Sequence, residues 1–330
     1  MDLDFTFLIC TYNRAALLKR CLEHLDALDQ ALFEGVPVTW EILVVDNRST
    51  DGTAALVETW VARSGKDNPH ASVTRLIREE RQGVGFARRT GFAASAGTWI
   101  VFVDDDCALE RDFLVEAARF IREHPDAGVI GGRNALEWEA PPPELAVSYG
   151  ESLARQDWGD QPQKVPDDGG KRALCGAGVL LRKEAILKSG YLEDGMLTGR
   201  HPKTIGAGED TEVQLLIRNA GWTLWYTPTL KLRHWIPKDR VGLPHLLALH
   251  RGFGEAEIYL RLVGARRPLT LANRLQGVGW ALTEMRVVLA RFWLGCVKYR
   301  NERPTWFIRL WYAWGCVKGA LRLLVLGRAR

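Results

Sequence analysis

The sequence predicts an α/β fold, a mostly parallel sheet with helices on both faces, followed by a basic helical region. Three observations carry this expectation. Strand-like apolar runs alternate with helical periodicity four times within the first 123 residues, the pattern of successive strand–helix–strand units. Each of these strands ends in polar residues, and open sheets of this kind bind ligands beyond the carboxyl ends of their strands. One strand, Trp99 to Val103, is apolar enough to be buried on both faces and runs directly into Asp104-Asp105-Asp106.

Three adjacent carboxylates repel one another, so a fold keeps them at a strand end mainly when a cation neutralises them. Strand alternation would send Asp104 and Asp106 one way and Asp105 the other. Hard oxygen donors of this kind suit Mg²⁺ or Mn²⁺ carrying a diphosphate. The plainer alternative is an acidic turn that caps the helix beginning near Glu110.

In chain order, Phe5 to Ile9 is an apolar run that ends in Thr11-Tyr12-Asn13-Arg14. Leu17, Leu18, Cys21, Leu22, Leu25 and Leu28 then recur at helical spacing. The second cycle is a strand from Glu41 to Val45, a loop from Asp46 to Thr53 and a helix from Ala54 to Ala62. Ser49 or Thr50 is expected to cap that helix, with Asp51 favourable in its first turn. The third runs from Val73 to Ile77 through Gly83-Val84-Gly85 to a helix ending near Gly97; the fourth is the Asp-rich strand and a helix from Arg111 to Glu123. Gly83-Val84-Gly85 lacks the third glycine of a dinucleotide fingerprint, and no Walker A sequence is present.

After Val129-Ile130-Gly131-Gly132 the pattern lapses into Pro141-Pro142-Pro143 and a polar stretch from Gln156 to Lys171, either a flap over the site or a surface insertion. Leu174 to Leu181 reads as a strand whose small residues, Gly176 among them, admit a ligand or a second backbone. Gly208-Glu209-Asp210 then opens a helix from Val213 to Ala220 that Gly221 terminates. These acids serve the helix dipole, or Asp210 takes a proton from a bound hydroxyl. Trp222 to Pro228 and Leu230 to His234 alternate like two strands and leave His234 at a strand end.

Length and composition set the frame. The chain has 330 residues, 47% hydrophobic and 25% charged, as globular proteins do. Six scattered cysteines (Cys10, Cys21, Cys107, Cys175, Cys296 and Cys316) form no CxxC pair, which argues for a reducing compartment. With no basic n-region at the start, a cytoplasmic location is expected. Residues 231–330 hold 19 Lys and Arg against 5 Asp and Glu, and the remainder 25 against 35, so an acidic body precedes a basic tail.

Taken together, these segments resemble family 2 glycosyltransferases of the GT-A fold, a Rossmann-like sheet, over residues 5–240. The resemblance rests on the order of Thr11-Tyr12-Asn13-Arg14, Val44-Val45-Asp46-Asn47, Gly85-Phe86-Ala87-Arg88, Phe102-Val103-Asp104-Asp105-Asp106, Gly208-Glu209-Asp210 and Ala220-Gly221-Trp222. It implies an inverting transferase that uses a nucleotide-diphosphate sugar, with UDP favoured, and a glycan or lipid-linked acceptor, in cell-envelope polysaccharide synthesis. Thr11, Tyr12, Arg14, Asp46, Arg88, Asp104 and Asp105 would bind the donor. Asp106, His234 and Asp104 would hold Mn²⁺ or Mg²⁺. Asp210 would be the catalytic base, with Gly176 and Glu209 on the acceptor side. Residues 1–134 would form the nucleotide-binding half, 135–240 the acceptor half and 241–330 a separate helical region. Two departures stand out: Asn47 where many relatives have a second Asp, and Arg89 where many have Asn. A degenerate scaffold or glycan-binding subunit, and a sugar nucleotidyltransferase, are the competing readings.

The tail lies outside this resemblance. Trp280, Trp293, Trp306, Trp311 and Trp314 sit among aliphatics and many Arg or Lys, and Arg309, Lys318 and Arg322 interrupt the apolar run from Thr305 to Leu326. Each central charge opposes insertion by about 2.5–3.5 kcal/mol. A helix lying on an anionic membrane surface is therefore favoured, giving a peripheral protein on the inner face of the cell membrane. Packing on the catalytic core is the alternative. No nucleic-acid motif is present, and nucleic acid is not expected as a partner.

Overall fold

The computed structural model describes residues 5–33, 35–63, 74–170, 172–201, 204–298 and 302–327. Among the readings above, Val73, Lys171 and the side chains of Trp293 and Cys296 lie outside the described residues.

The first half consists of β1 (Phe5–Thr11), α1 (Ala15–Asp26), a short hairpin of β2 (Leu32–Phe33) and β3 (Val36–Pro37), β4 (Trp40–Asp46), α2 (Thr53–Arg63), β5 (Thr74–Arg78), α3 (Val84–Ala94), β6 (Trp99–Asp104), β7 (Cys107–Leu109) and α4 (Phe113–Glu123). The second comprises β8 (Ala127–Trp138), α5 (Glu144–Ser148), a 3-10 turn (Gly150–Leu153), β9 (Gln163–Lys164), β10 (Leu180–Arg182), α6 (Lys183–Lys188), α7 (Tyr191–Asp194), α8 (Glu209–Asn219) and β11 (Thr223–Ile236). A 3-10 turn at Lys238–Arg240 then leads to α9 (Leu243–Gly264), α10 (Leu271–Lys298) and α11 (Arg303–Leu326).

The main sheet runs β5-β4-β1-β6-β10-β8-β11-β7, with β9 also on β11. β5, β4, β1 and β6 are mutually parallel, as are β8 and β11. β10 joins the two sets antiparallel to both. Period-2 alternation in β1 sends Phe5, Phe7 and Ile9 into the apolar cluster on one face, with Leu22, Trp40 and Phe113, and Leu8 into the other, with Phe92, Phe102 and Tyr191. Two further clusters join the tail to the body: Leu197 with Ala256, Tyr259, Cys316 and Leu323, and Ala146, Leu153 and Ile236 with Leu246, Leu249 and Ile308. Burying each such aliphatic side chain contributes about 1.5–3 kcal/mol.

Several elements differ from their sequence expectations. Leu174 to Val179 is not strand: Gly178 adopts φ 73°, outside the β region, and the strand is confined to β10. β8 continues through Trp138 because β11 pairs with it along its length. The two expected strands after Trp222 are one, β11, with a register shift between Tyr226 and Lys231 that accommodates Pro228. β7, three residues long, carries no periodic signal and exists because β11 pairs with it. At α2 the expected caps are engaged elsewhere: Ser49 Oγ accepts from the Asn13 amide (2.9 Å), and the Thr50 amide donates to Asn13 Oδ1 (2.7 Å). Asp51 Oδ1 instead accepts from the Thr53 amide at 2.9 Å. The first two strand-to-helix turns are thereby tied together.

Candidate active site

β6 ends at Asp104, and the chain turns before β7 departs along β11. That turn overrides the strand alternation expected of the three aspartates. Asp105 and Asp106 share one cation, Arg14, whose Nη1 donates to Asp105 Oδ1 at 2.5 Å and Asp106 Oδ2 at 2.9 Å. Asp104 faces Arg88 instead, Oδ1 to Nη2 3.4 Å. Thr11 Oγ1 donates to Asp105 Oδ2 at 2.8 Å.

His234 reaches the same turn from β11, where it pairs opposite Cys107. Its Nε2 lies 3.1 Å from Asp106 Oδ1, and its Nδ1 lies 2.9 Å from the Leu153 carbonyl oxygen. A carbonyl oxygen only accepts, so Nδ1 carries a proton and Nε2 is the nitrogen presented to Asp106. A neutral ring would then set a lone pair against a carboxylate oxygen. The contact is favourable only with a proton or a metal cation between them.

The buried ionisable groups respond accordingly. Burial pushes the Asp106 carboxyl up, but His234 and Arg14 outweigh it and hold the group well below the usual carboxylate range. Asp105, buried and beside the Asp106 charge, moves the opposite way against the pull of Arg14. Burial depresses His234, yet Asp106 raises it overall. Arg240 Nη1 adds a third cation, 3.0 Å from Asp106 Oδ2. Asp106 is thus surrounded by positive charge, which favours its ionised form.

A cavity of about 1380 Å³ lies beyond these strand ends. Tyr12, Arg14, Arg88 and Asp104 to Asp106 line it together with Gly176, Glu209 and Asp210. Asp210 sits in the first turn of α8, whose N-cap Gly208 has φ 92°, a conformation that glycine adopts without strain. Its Oδ1 accepts from the Thr211 amide at 2.8 Å. A Cβ at position 176 would lie 2.4 Å from Asp210 Oδ2, so the Gly176 backbone is held against that carboxylate. Glu209 Oε1 accepts from Arg88 Nη1 at 3.0 Å, and burial raises its pKa to about 7 against the pull of Arg88. Arg88 therefore links Asp104 to the Asp210 turn. Asp46, expected to bind the donor, is buried, accepts the Ser49 amide on Oδ1 at 2.8 Å and does not line the cavity, whereas its neighbour Asn47 does.

Among the described residues, Asp106, Cys107 and His234 place candidate ligand atoms within 4.8 Å of one another. Burial raises the Cys107 thiol well above its usual range, so at neutral pH it stays protonated and is a poor ligand. The remaining carboxylate oxygen and imidazole nitrogen fit Mn²⁺ or Mg²⁺ with further positions left for phosphate oxygens. Asp104, expected in the same set, is engaged with Arg88 and stands outside this cluster. Sequence reasoning missed Arg240 and the Leu153 carbonyl: one is an isolated Arg after a strand, the other a backbone atom, and neither leaves a motif.

The profile of glycosyl transferase family 2 matches residues 6–188. The succinoglycan biosynthesis protein ExoO of Rhizobium meliloti is 36% identical over 111 residues, 34% of this chain and 28% of that protein. The chain spans less than half the length of the curated relatives it matches. Among solved structures, the mannosyltransferase PcManGT of Pyrobaculum calidifontis in complex with GDP-Man and Mn²⁺ aligns with TM-score 0.58 and 18% identity, over 97% of this chain and 87% of that one. S. aureus TarS 1-349 in complex with UDP aligns with TM-score 0.52 and 14% identity over 98% and 92%. Both likenesses bear on the fold, a GT-A architecture.

Proposed function

Because the chain belongs to glycosyl transferase family 2, we propose that it transfers a sugar, with inversion, from a nucleoside-diphosphate donor to a hydroxyl of a glycan or lipid-linked acceptor. A UDP-sugar is the favoured donor. One observation carries this reading: the cation-ringed Asp106, His234 and Asp210 all line a single cavity. The complexes of PcManGT with GDP-Man and Mn²⁺ and of TarS with UDP support the donor class.

On this reading Thr11, Tyr12, Arg14 and Asp46 form the nucleotide side. Asp104 and Arg88 orient the donor, and Asp106 with His234 holds the divalent cation. When bound, that ion supplies Lewis-acid stabilisation of charge on the departing diphosphate. Arg14 and Arg240 contribute positive charge to the same end of the cavity. Asp210 takes the acceptor hydroxyl proton as the oxygen attacks the anomeric carbon from the face opposite the leaving group, which inverts the configuration. The reaction serves cell-envelope polysaccharide synthesis, by a protein held peripherally on the inner face of the cell membrane.

Calorimetric titration with UDP, GDP and dTDP, each with and without Mn²⁺, tests the donor side. The expected result is Mn²⁺-dependent binding of one nucleotide, strongest for UDP, and its loss in Asp106→Ala. If no nucleotide binds, or Asp106→Ala binds as the parent does, the assignment fails.

A further inference from the structure

The tail presents an apolar surface that the proposed chemistry does not use. Of the 16 exposed large hydrophobic side chains among the described residues, 11 lie on α10 and α11. On α11 Phe307, Trp311, Trp314, Leu321 and Val325 follow one another by four, three, seven and four residues, the spacing of one helix face. Leu271, Leu275, Leu282 and Leu289 do the same on α10. The opposite face of α11 is spoken for: Ile308, Ala313, Cys316, Ala320 and Leu323 are buried. Gly315 and Gly319 meet the backbone of Arg251 and Glu255 on α9. The exposed face is therefore a surface left over after the helix has packed.

Three observations select its occupant. Residues 271–326 carry nine Lys and Arg against two Asp and Glu, which favours an anionic partner and sets a second copy of the same surface against like charge. Exposed Trp among aliphatics, flanked by Arg286, Arg291 and Arg309, is the composition that rests at the boundary of acyl chains and headgroups. No described helix is long and apolar enough to cross a membrane, so a lipid partner would be met at its surface rather than spanned. The cavity reaches one of these two helices, α11, and its neighbour α9: Leu249, Phe253, Ala256 and Leu260 of α9 and Tyr312 of α11 line it along with Asp210.

We propose that the exposed face of α10 and α11 docks on an anionic lipid bilayer and that the acceptor is lipid-linked, its saccharide at Asp210 and its apolar chain running along the α9–α11 wall toward that bilayer. This rests on the transferase reading above. α11 is the pivot, with Tyr312 on the cavity and Trp311 and Trp314 on the bilayer.

The test uses the full chain with vesicles of phosphatidylcholine, with or without phosphatidylglycerol, and the double variant Trp311→Glu/Trp314→Glu. The parent is expected to float with the phosphatidylglycerol vesicles and the variant to bind them at least about tenfold more weakly. UDP titration of the variant should be unchanged, which shows that it folds. A saccharide on a long polyprenyl diphosphate in those vesicles should be a substrate whose turnover falls with vesicle binding. Transfer to the same saccharide on a short soluble chain should not fall. Equal vesicle binding by parent and variant would overturn the docking surface, as would a parent that sediments as a dimer and a variant that sediments as a monomer. Transfer only to soluble glycans would overturn the lipid-linked acceptor. Loss of nucleotide binding in the parent, with vesicle docking intact, would instead count against the transferase reading.

Discussion

At the scale of single residues, Asp210 and His234 have separable roles. Asp210→Asn keeps the size of the side chain and its contact with Thr211 but removes the proton acceptor. Turnover is expected to fall about 10²–10⁴-fold while UDP affinity by calorimetry stays the same; a variant retaining most of its turnover would exclude Asp210 as the base. His234 gives a pH signature. Its folded-state pKa is raised by Asp106, so the stability it contributes is fully present below its unfolded value, about 6.5, and is lost as pH rises through the folded value. In metal-free protein His234→Asn should therefore lower the melting temperature more at pH 6 than at pH 9. A penalty that does not change with pH would mean that the ion pair with Asp106 contributes little. Asp104, Asp105 and Asp106 were legible in the sequence because three adjacent carboxylates at a strand end repel one another, and Asp210 because Gly208-Glu209-Asp210 falls in its place in the order of segments that carries the family resemblance. Which of them share a cation was not, because that depends on where the chain turns after Asp104.

At the scale of elements, α8 is held on both sides by one side chain. Glu212 accepts the Met196 and Leu197 amides at 2.7 and 3.0 Å and the Tyr259 hydroxyl at 2.6 Å. It thus joins α8 to α9 and to the segment whose Thr198 carbonyl accepts the Gly85 amide at the start of α3. Tyr259→Phe removes one of three donors to a fully buried carboxyl. The expected cost is about 1.5–3 kcal/mol in urea unfolding; a change below the error of the titration would show that water or another donor replaces the hydroxyl. The four early strand–helix cycles were readable from periodicity, since each buries its own apolar face. β7 and the far half of β8 were not, because their pairing with β11 spans about a hundred residues of sequence or more.

At the scale of the whole molecule, the tail is part of the packed structure. α9 and α11 cover Leu197, Ala146, Leu153 and Ile236 and complete the cavity wall. A chain ending at residue 242 is expected to aggregate, because those apolar side chains become exposed. A monodisperse truncated protein that binds nucleotide with unchanged affinity would refute this and make the tail an appendage. The sequence expectation of a basic, Trp-rich helical region was specific about composition and silent about which face packs, since helical periodicity on a helix apolar nearly all round does not distinguish a core face from an exposed one. By itself the sequence determined the α/β class, the family resemblance and the identity of the acidic residues, all of which are local patterns of residue type and order. Only the tertiary structure decided that Arg14, His234 and Arg240 converge on Asp106, that Gly176 is held against Asp210 and that α9 and α11 wall the cavity. Each of these is a meeting of residues distant in the chain, fixed by strand pairing and helix packing.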